Sequence, residues 1–152
     1  MLKLENITVL FDDLKALDHV NMEFMEGKIT GIIGTNGSGK STLMKVMTKL
    51  LKPQEGSVYL DQQLIQDKKK DLFAYRQEVN MVFQNPEQQL FYTIAKDDIG
   101  MALENLGYSK EECDKRVQEA IELMDIKELQ DRPVQYLSYG QKKKVAIAGM
   151  LA

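Results

Sequence analysis

The stretch GIIGTNGSGKSTLMKVM, Gly31 to Met47, restricts the folds open to this chain more than any other part of it. A short apolar run, Ile29 to Gly34, leads into it without alternation, as expected of a strand buried on both faces in a parallel sheet. Behind the glycines, Leu43, Val46, Met47, Leu50 and Leu51 recur at helical spacing. They predict one apolar face of a helix that Lys52-Pro53 stops. Strand, glycine turn and helix in that order call for an α/β fold with a phosphate-binding turn.

The residue types carry that chemistry. Gly34, four residues, then Gly39-Lys40-Ser41 satisfies the phosphate-loop pattern. Gly34, Gly37 and Gly39 free the backbone to aim successive N–H groups inward at an anion. The start of the following helix adds its dipole and unpaired N–H donors. Lys40 supplies a point charge for the outer phosphates and Ser41 a hydroxyl for Mg²⁺. The nucleotide-binding set is therefore Gly34, Thr35, Asn36, Gly37, Ser38, Gly39, Lys40, Ser41 and Thr42, with ATP and Mg²⁺ as the cofactors.

Composition removes other classes. The 152 residues carry a formal net charge of only −3, which gives no whole-chain attraction to nucleic acid or anionic lipid. Lys68-Lys69-Lys70 and Lys142-Lys143-Lys144 read as solvated faces rather than nucleic-acid patches. A lone cysteine, Cys113, allows no internal disulfide and sits on an apolar helical stripe as a small hydrophobe. The nine methionines read as core filling. No apolar run nears the roughly 18 to 20 residues that cross a bilayer. A soluble cytoplasmic chain is expected, with any membrane role supplied by a partner.

Around the loop, Leu2 to Phe11 and Val20 to Phe24 alternate as half-buried strands do. Ser57 to Leu60 and Leu64-Ile65 flank Asp61-Gln62-Gln63 as a hairpin, and Val79 to Phe83 reads as another short strand. Farther on, Ile99, Ala102, Leu103 and Leu106 form a helical stripe closed by Gly107. Ser109 with Glu112 has capping-box spacing ahead of Cys113, Val117, Ala120, Ile121 and Met124. His19, the single histidine, reads as a surface turn residue.

Two later stretches separate the kinds of phosphate-loop protein. MVFQNPEQQLF, Met81 to Phe91, sets Gln84 directly after a short strand, and YLSYGQKKKVAIAGMLA, Tyr136 to Ala152, opens a helix with Leu-Ser-x-Gly-Gln. Ser138 and Gln141 have S-x-x-Q spacing, so Ser138 is expected to cap that helix, and Gly140 leaves its first turn open to a second anion. With GTNGSGKST, QNPEQQLF and LSYGQKKKVAIAG in this order, the whole chain resembles the N-terminal part of ABC transporter ATPase subunits. It is most similar to those of the energy-coupling-factor, cobalt- and vitamin-importer type.

The resemblance implies a fold and a mechanism. The fold is a P-loop NTPase of the ABC ATPase kind, with an antiparallel β subdomain, a partial parallel core sheet and a helical insert over about 93–137, within one ATP-binding domain over 1–152. Lys40 and Gln84 would be its catalytic members here, Gln84 also a Mg²⁺ and water ligand beside Ser41. Ser138, Gly140 and Gln141 would grip the γ-phosphate of the nucleotide on a second ATPase subunit, identical or not. Tyr139 stands where the family most often has glycine, so its ring must point away from the nucleotide. Transmembrane transporter subunits would be the other partners, which places the protein at the cytoplasmic face of the membrane. Leu90, Phe91 and Tyr92 could line the groove for that partner or belong to the core. An aromatic near the end of the first strand stacks on adenine in the family; Phe11 is the candidate, or it is core.

The family hydrolyses ATP with an apolar strand, the Walker B strand, ending in Asp-Glu, and no Asp-Glu pair occurs in these residues. The expectation is a fragment truncated before that strand, able to bind ATP and unable by itself to cleave it. Two other readings stay open: a soluble ABC-type ATPase with no membrane partner, and a nucleotide-binding module without turnover.

Overall fold

In the first strand, β1 (Leu2–Phe11), the buried residues Leu4, Ile7 and Val9 do not share one parity. Leu4 and Ile7 are three apart and would face opposite sides of a regular strand. Asn6 removes the conflict by taking φ 53°, and the pairing with β2 (Leu14–Phe24) slips between Leu4 and Ile7. The extra residue is a β-bulge. The Asn21 side chain holds it, accepting from the Asn6 N–H at 2.9 Å and donating to the His19 carbonyl at 2.9 Å. His19 is exposed, as expected, but it lies in β2 at φ 49° rather than in a turn.

This computed structural model describes all of residues 1–152, which form two compact units, Met1–Met81 and Val82–Ala152. In the first unit, helix α1 (Lys40–Met47) separates the opening hairpin from β3 (Glu55–Leu60) and β4 (Gln63–Leu64), and the sheet runs β2-β1-β3-β4, antiparallel throughout. The β3–β4 hairpin forms, with a turn one residue shorter than expected, since Gln63 pairs with Leu60 inside β4. Asp61 and Gln62 both take positive φ, 47° and 67°, as a two-residue type I′ turn requires. Leu4, Ile7, Val9, Leu17, Leu43, Val46, Val58 and Tyr75 pack as the core of this unit.

Three expectations fail here. Helix α1 stops at Met47, short of Leu50 and Leu51, because Lys49 turns left-handed at φ 54°. The N–H groups of Lys49 and Leu50 then bond back to the carbonyls of Val46 and Lys45, a Schellman ending. Leu50 is consequently half exposed. Residues 29–34 and 79–83 form no strand, since no strand of the chain pairs with either, and Ile29 and Ile33 stand fully exposed. The expected parallel sheet is thus absent from these residues. An unread helix, α2 (Lys69–Glu78), follows the hairpin, and Tyr75 anchors it by donating its buried hydroxyl to the Met47 carbonyl.

In the second unit α3 (Ala95–Leu106), α4 (Lys110–Leu123) and α5 (Tyr139–Leu151) pack pairwise around Ile99, Ile121, Ile126, Leu129, Leu137 and Val145. Gly107 ends α3 at φ 83°, and Asp125 ends the α4 turn the same way at φ 51°. Ser109 and Glu112 form the expected capping box. No side chain caps α3; the N–H groups of Ala95 and Lys96 instead reach the carbonyls of Arg132 and Gln130 at 3.2 and 3.0 Å. That pins residues 130–134 along the start of α3. Cys113 is buried, as the stripe implied, and burial pushes its thiol above the usual range. No helix is long and apolar enough to cross a membrane.

Candidate phosphate loop and signature helix

Added side chains would crowd the loop at two of its glycines, against backbone at Gly39 and against a movable hydroxyl at Gly34. A Cβ on Gly39 would lie 2.5 Å from the Ala16 carbonyl oxygen of β2, and one on Gly34 would lie 2.5 Å from Ser38 Oγ. Gly37 and Gly39 take φ of 84° and 86°, so the loop Thr35–Gly39 turns tightly, closed by the Ser38 N–H on the Thr35 carbonyl at 3.2 Å. Gly39 is also the residue ahead of α1, and its carbonyl accepts the first helical bond, from Leu43, at 2.8 Å.

The start of α1 differs from the other helix starts. No side chain caps it and no acid lies in its first turn, whereas α3 carries Asp97 and Asp98 there and α4 carries Glu111 and Glu112. A positive helix end left without its own carboxylate suits an anion from outside. Lys40 Nζ folds back over the loop and donates to the carbonyls of Gly34 and Thr35 at 2.8 and 2.7 Å. The ammonium therefore lies at the mouth of the turn. Ser41 is exposed beside it, and Thr42 is half-buried. This cradle fits a phosphate chain: crowded glycines, an uncapped helix start and one lysine.

No cluster of three or more His, Cys, Asp or Glu could hold a metal by itself. A Mg²⁺ at Ser41 would therefore depend on phosphate oxygens and waters for most of its ligands, which is how this cation usually sits beside nucleotides. Phe11, the candidate adenine platform, ends β1 half exposed, ahead of the Asp12-Asp13 turn.

In the second unit the capping box at Ser138 is formed: Gln141 N–H donates to Ser138 Oγ at 3.3 Å, and Ser138 N–H to Gln141 Oε1 at 2.9 Å. Ser138, Tyr139 and Gly140 are all exposed at this helix start, which again lacks an acid in its first turn. The Tyr139 hydroxyl donates to the Gln84 carbonyl at 2.5 Å, so the ring is tied down toward the Gln84 loop. Gln84 itself is exposed, and the next residue, Asn85, caps the 3₁₀ turn Pro86–Gln88 through its side chain.

Lysine 142 overturns the expectation of a solvated triplet. Its side chain is 14% exposed and bonds Glu87 Oε1 at 2.5 Å. Lys143 lies over the Tyr139 ring, 5.9 Å from its centroid, and only Lys144 is plainly exposed. Lys68, Lys69 and Lys70 do stand in solvent.

Leu90 packs against the core and also lines, with the exposed Phe91 and Tyr92, a groove of about 310 Å³ shared with Glu87, Val134 and Lys142. Sequence reasoning missed the residue that shapes this wall. Asp98 is buried in the first turn of α3, and its Oδ1 accepts the N–H groups of both Phe91 and Tyr92, at 2.6 and 2.7 Å. Burial holds its carboxyl above the usual carboxylate range, against the two N–H bonds that favour the charged form.

The ABC transporter family model matches residues 17–152. A cobalt import ATP-binding protein, CbiO, of Salmonella paratyphi A is 43% identical over 99% of this chain and 56% of its own length. The energy-coupling factor transporter ATP-binding protein EcfA1 of Mycoplasmopsis synoviae is 40% identical over 100% of this chain and 58% of its own. Among solved structures, cbiO1 from Clostridium perfringens, part of the ABC transporter complex cbiONQ, superposes with a TM-score of 0.87 at 38% identity, over 99% of this chain and 60% of that one. The dimeric MJ0796 cassette, a bacterial ABC transporter cassette, gives 0.87 at 32% identity, over 100% of this chain and 69% of that one. The chain thus spans a little over half the length of the curated relatives it matches. With the family model covering residues 17–152 and these relatives covering nearly all of it, the chain belongs to the ABC transporter ATPase family.

Proposed function

We propose that this chain supplies the ATP-binding machinery of an energy-coupling-factor-type importer that takes up a metal ion or a vitamin. The observation that carries the reading is the cradle at Gly34–Thr42, where an uncapped helix start, a Gly39 with no room for a side chain and the Lys40 ammonium converge. On this reading Lys40 exchanges its loop carbonyls for the outer phosphates, and backbone N–H groups from Gly37 to Thr42 hold the rest. Ser41 and Gln84 would orient Mg²⁺, which supplies charge neutralisation at the phosphates when bound. Phe11 would offer a face to adenine.

Ser138, Gly140 and Gln141 would close on the nucleotide of a second ATPase subunit, so that two subunits enclose two nucleotides. The exposed Phe91 and Tyr92 beside their groove would receive a segment of a transmembrane partner. CbiO and the cbiONQ complex support that role through their names, and the dimeric MJ0796 cassette supports the pairing of subunits. The described residues contain no Asp-Glu pair to polarise an attacking water, so hydrolysis by these residues alone is not expected.

Ser138→Arg in the intact protein tests this assignment. Nucleotide binding to each subunit should persist, while MgATP-dependent dimers, read by light scattering with a non-hydrolysable analogue, should be lost. Dimers that form unchanged would reduce Ser138 to a helix cap. A protein that co-purifies with no membrane subunit would point to a free-standing ATPase instead.

A further inference from the structure

Helix α5 is laced along one face to the segment Gln84–Gln89. Tyr139, its first residue, donates its hydroxyl to the Gln84 carbonyl at 2.5 Å. Lys142, one turn on, bonds Glu87 at 2.5 Å from a largely buried position. Near the far end, Met150 Sδ accepts from Gln89 Nε2 at 3.6 Å. Residues 139, 142 and 150 fall on one stripe of an α-helix, since eleven residues complete about three turns. The segment is stiff in its own right. Asn85 caps its 3₁₀ turn, Pro86 is fully buried, and Gln89 Oε1 accepts from the Phe83 N–H at 2.6 Å.

The helix does not need Tyr139 for its own start, because Ser138 and Gln141 already satisfy the capping positions. Nor does burial explain the residue, which is 57% exposed. Its specific investment is one hydrogen bond, and that bond joins the carbonyl of Gln84 to the residue directly after Ser138. We propose that Tyr139 is a positioning residue that couples the two nucleotide sites of the ATPase dimer. This rests on the reading above, in which Gln84 answers to the nucleotide in its own subunit and Ser138 to the nucleotide on the other. A shift of Gln84 then reaches the neighbouring site through one hydroxyl, with the Lys142–Glu87 pair keeping the segment and α5 in register.

Tyr139→Phe removes the donor and keeps the ring over Lys143. In the intact protein, three readouts are taken together: MgATP affinity of the isolated subunit, steepness of MgATP-dependent dimerisation, and hydrogen exchange of the amides from Asn85 to Gln89. Affinity should not change. Exchange in the segment should rise about 3- to 10-fold, the weight of one neutral hydrogen bond, and the ATP dependence of dimerisation should flatten toward a Hill coefficient near one. Lys142→Met should flatten it as well. Wild-type steepness in Tyr139→Phe overturns the coupling role while leaving the ATPase reading intact. Flattening accompanied by lost affinity in the isolated subunit shows a general structural defect, and also overturns it. A wild-type protein that neither binds MgATP nor dimerises overturns the ATPase reading, and the coupling role with it.

Discussion

Lys40 spends its ammonium on the carbonyls of Gly34 and Thr35, within 2.8 Å of each, and has to release them to take a phosphate. Its contribution to affinity is therefore a difference between charged hydrogen bonds, about 1.5 to 3 kcal/mol. Lys40→Ala should weaken MgATP binding by roughly 10- to 150-fold in an equilibrium titration; equal affinities would remove the phosphate-loop assignment. Asp98 gives a second prediction at this scale. Both amides it holds reach a single oxygen, Oδ1, so an Asn carbonyl can replace it, whereas Asp98→Ala strands two N–H groups at a cost of about 1 to 3 kcal/mol. Because burial raises the folded-state pKa above the unfolded value, the charged carboxylate costs stability. Relative to Asp98→Asn, the wild type should lose stability as pH rises through that raised pKa and regain it on acidification, in denaturant melts run at several pH values. Lys40 was legible because its motif fixes both neighbours and spacing. Asp98 was not: an acid in a first helical turn is commonplace, and only the folded chain shows what it holds.

Among the elements, those whose signal is local read well and those that depend on distant partners do not. The capping boxes at Ser109 and Ser138 and the Gly107 stop need only three or four consecutive residues, and all three form. The runs 29–34 and 79–83 have apolar content suited to strands, yet a strand exists only with a neighbour to bond, and none pairs with them. Helix α2 begins in Lys69-Lys70-Asp71 and buries a single residue, so its sequence shows no apolar face. Its hold on the unit is correspondingly specific: the Tyr75 hydroxyl on the Met47 carbonyl and Arg76 on the Lys49 carbonyl at 2.9 Å, both at the end of α1. Tyr75→Phe should cost about 1 to 2 kcal/mol, by losing that bond and leaving the Met47 carbonyl unpaired. Thermal melting would measure it; an unchanged midpoint would mean that packing alone holds α2.

Across the whole molecule the two anion-ready helix starts belong to different compact units, α1 to Met1–Met81 and α5 to Val82–Ala152. Hydrogen exchange with and without MgATP should therefore separate them. In dilute protein, amides from Gly37 to Thr42 should slow while those from Tyr139 to Gln141 stay unchanged; at concentrations that favour dimers, both should slow. Protection of both stretches at every dilution would mean that one subunit satisfies both ends of its nucleotide. The bulge at Asn6 carries a different kind of consequence, in the arithmetic of insertion and deletion. Both ladders flanking β1 count one residue too many across it, three on β1 against two on β2 and on β3. Excising that codon would leave Leu4 two positions from Ile7, still facing inward, and would remove this slip from both ladders, leaving the shifts around Val9 in the pairing with β2. Replacing Asn6 with valine would instead force a β-branched residue to φ 53°. At this position, a deletion would relieve a mismatch that a β-branched substitution would aggravate.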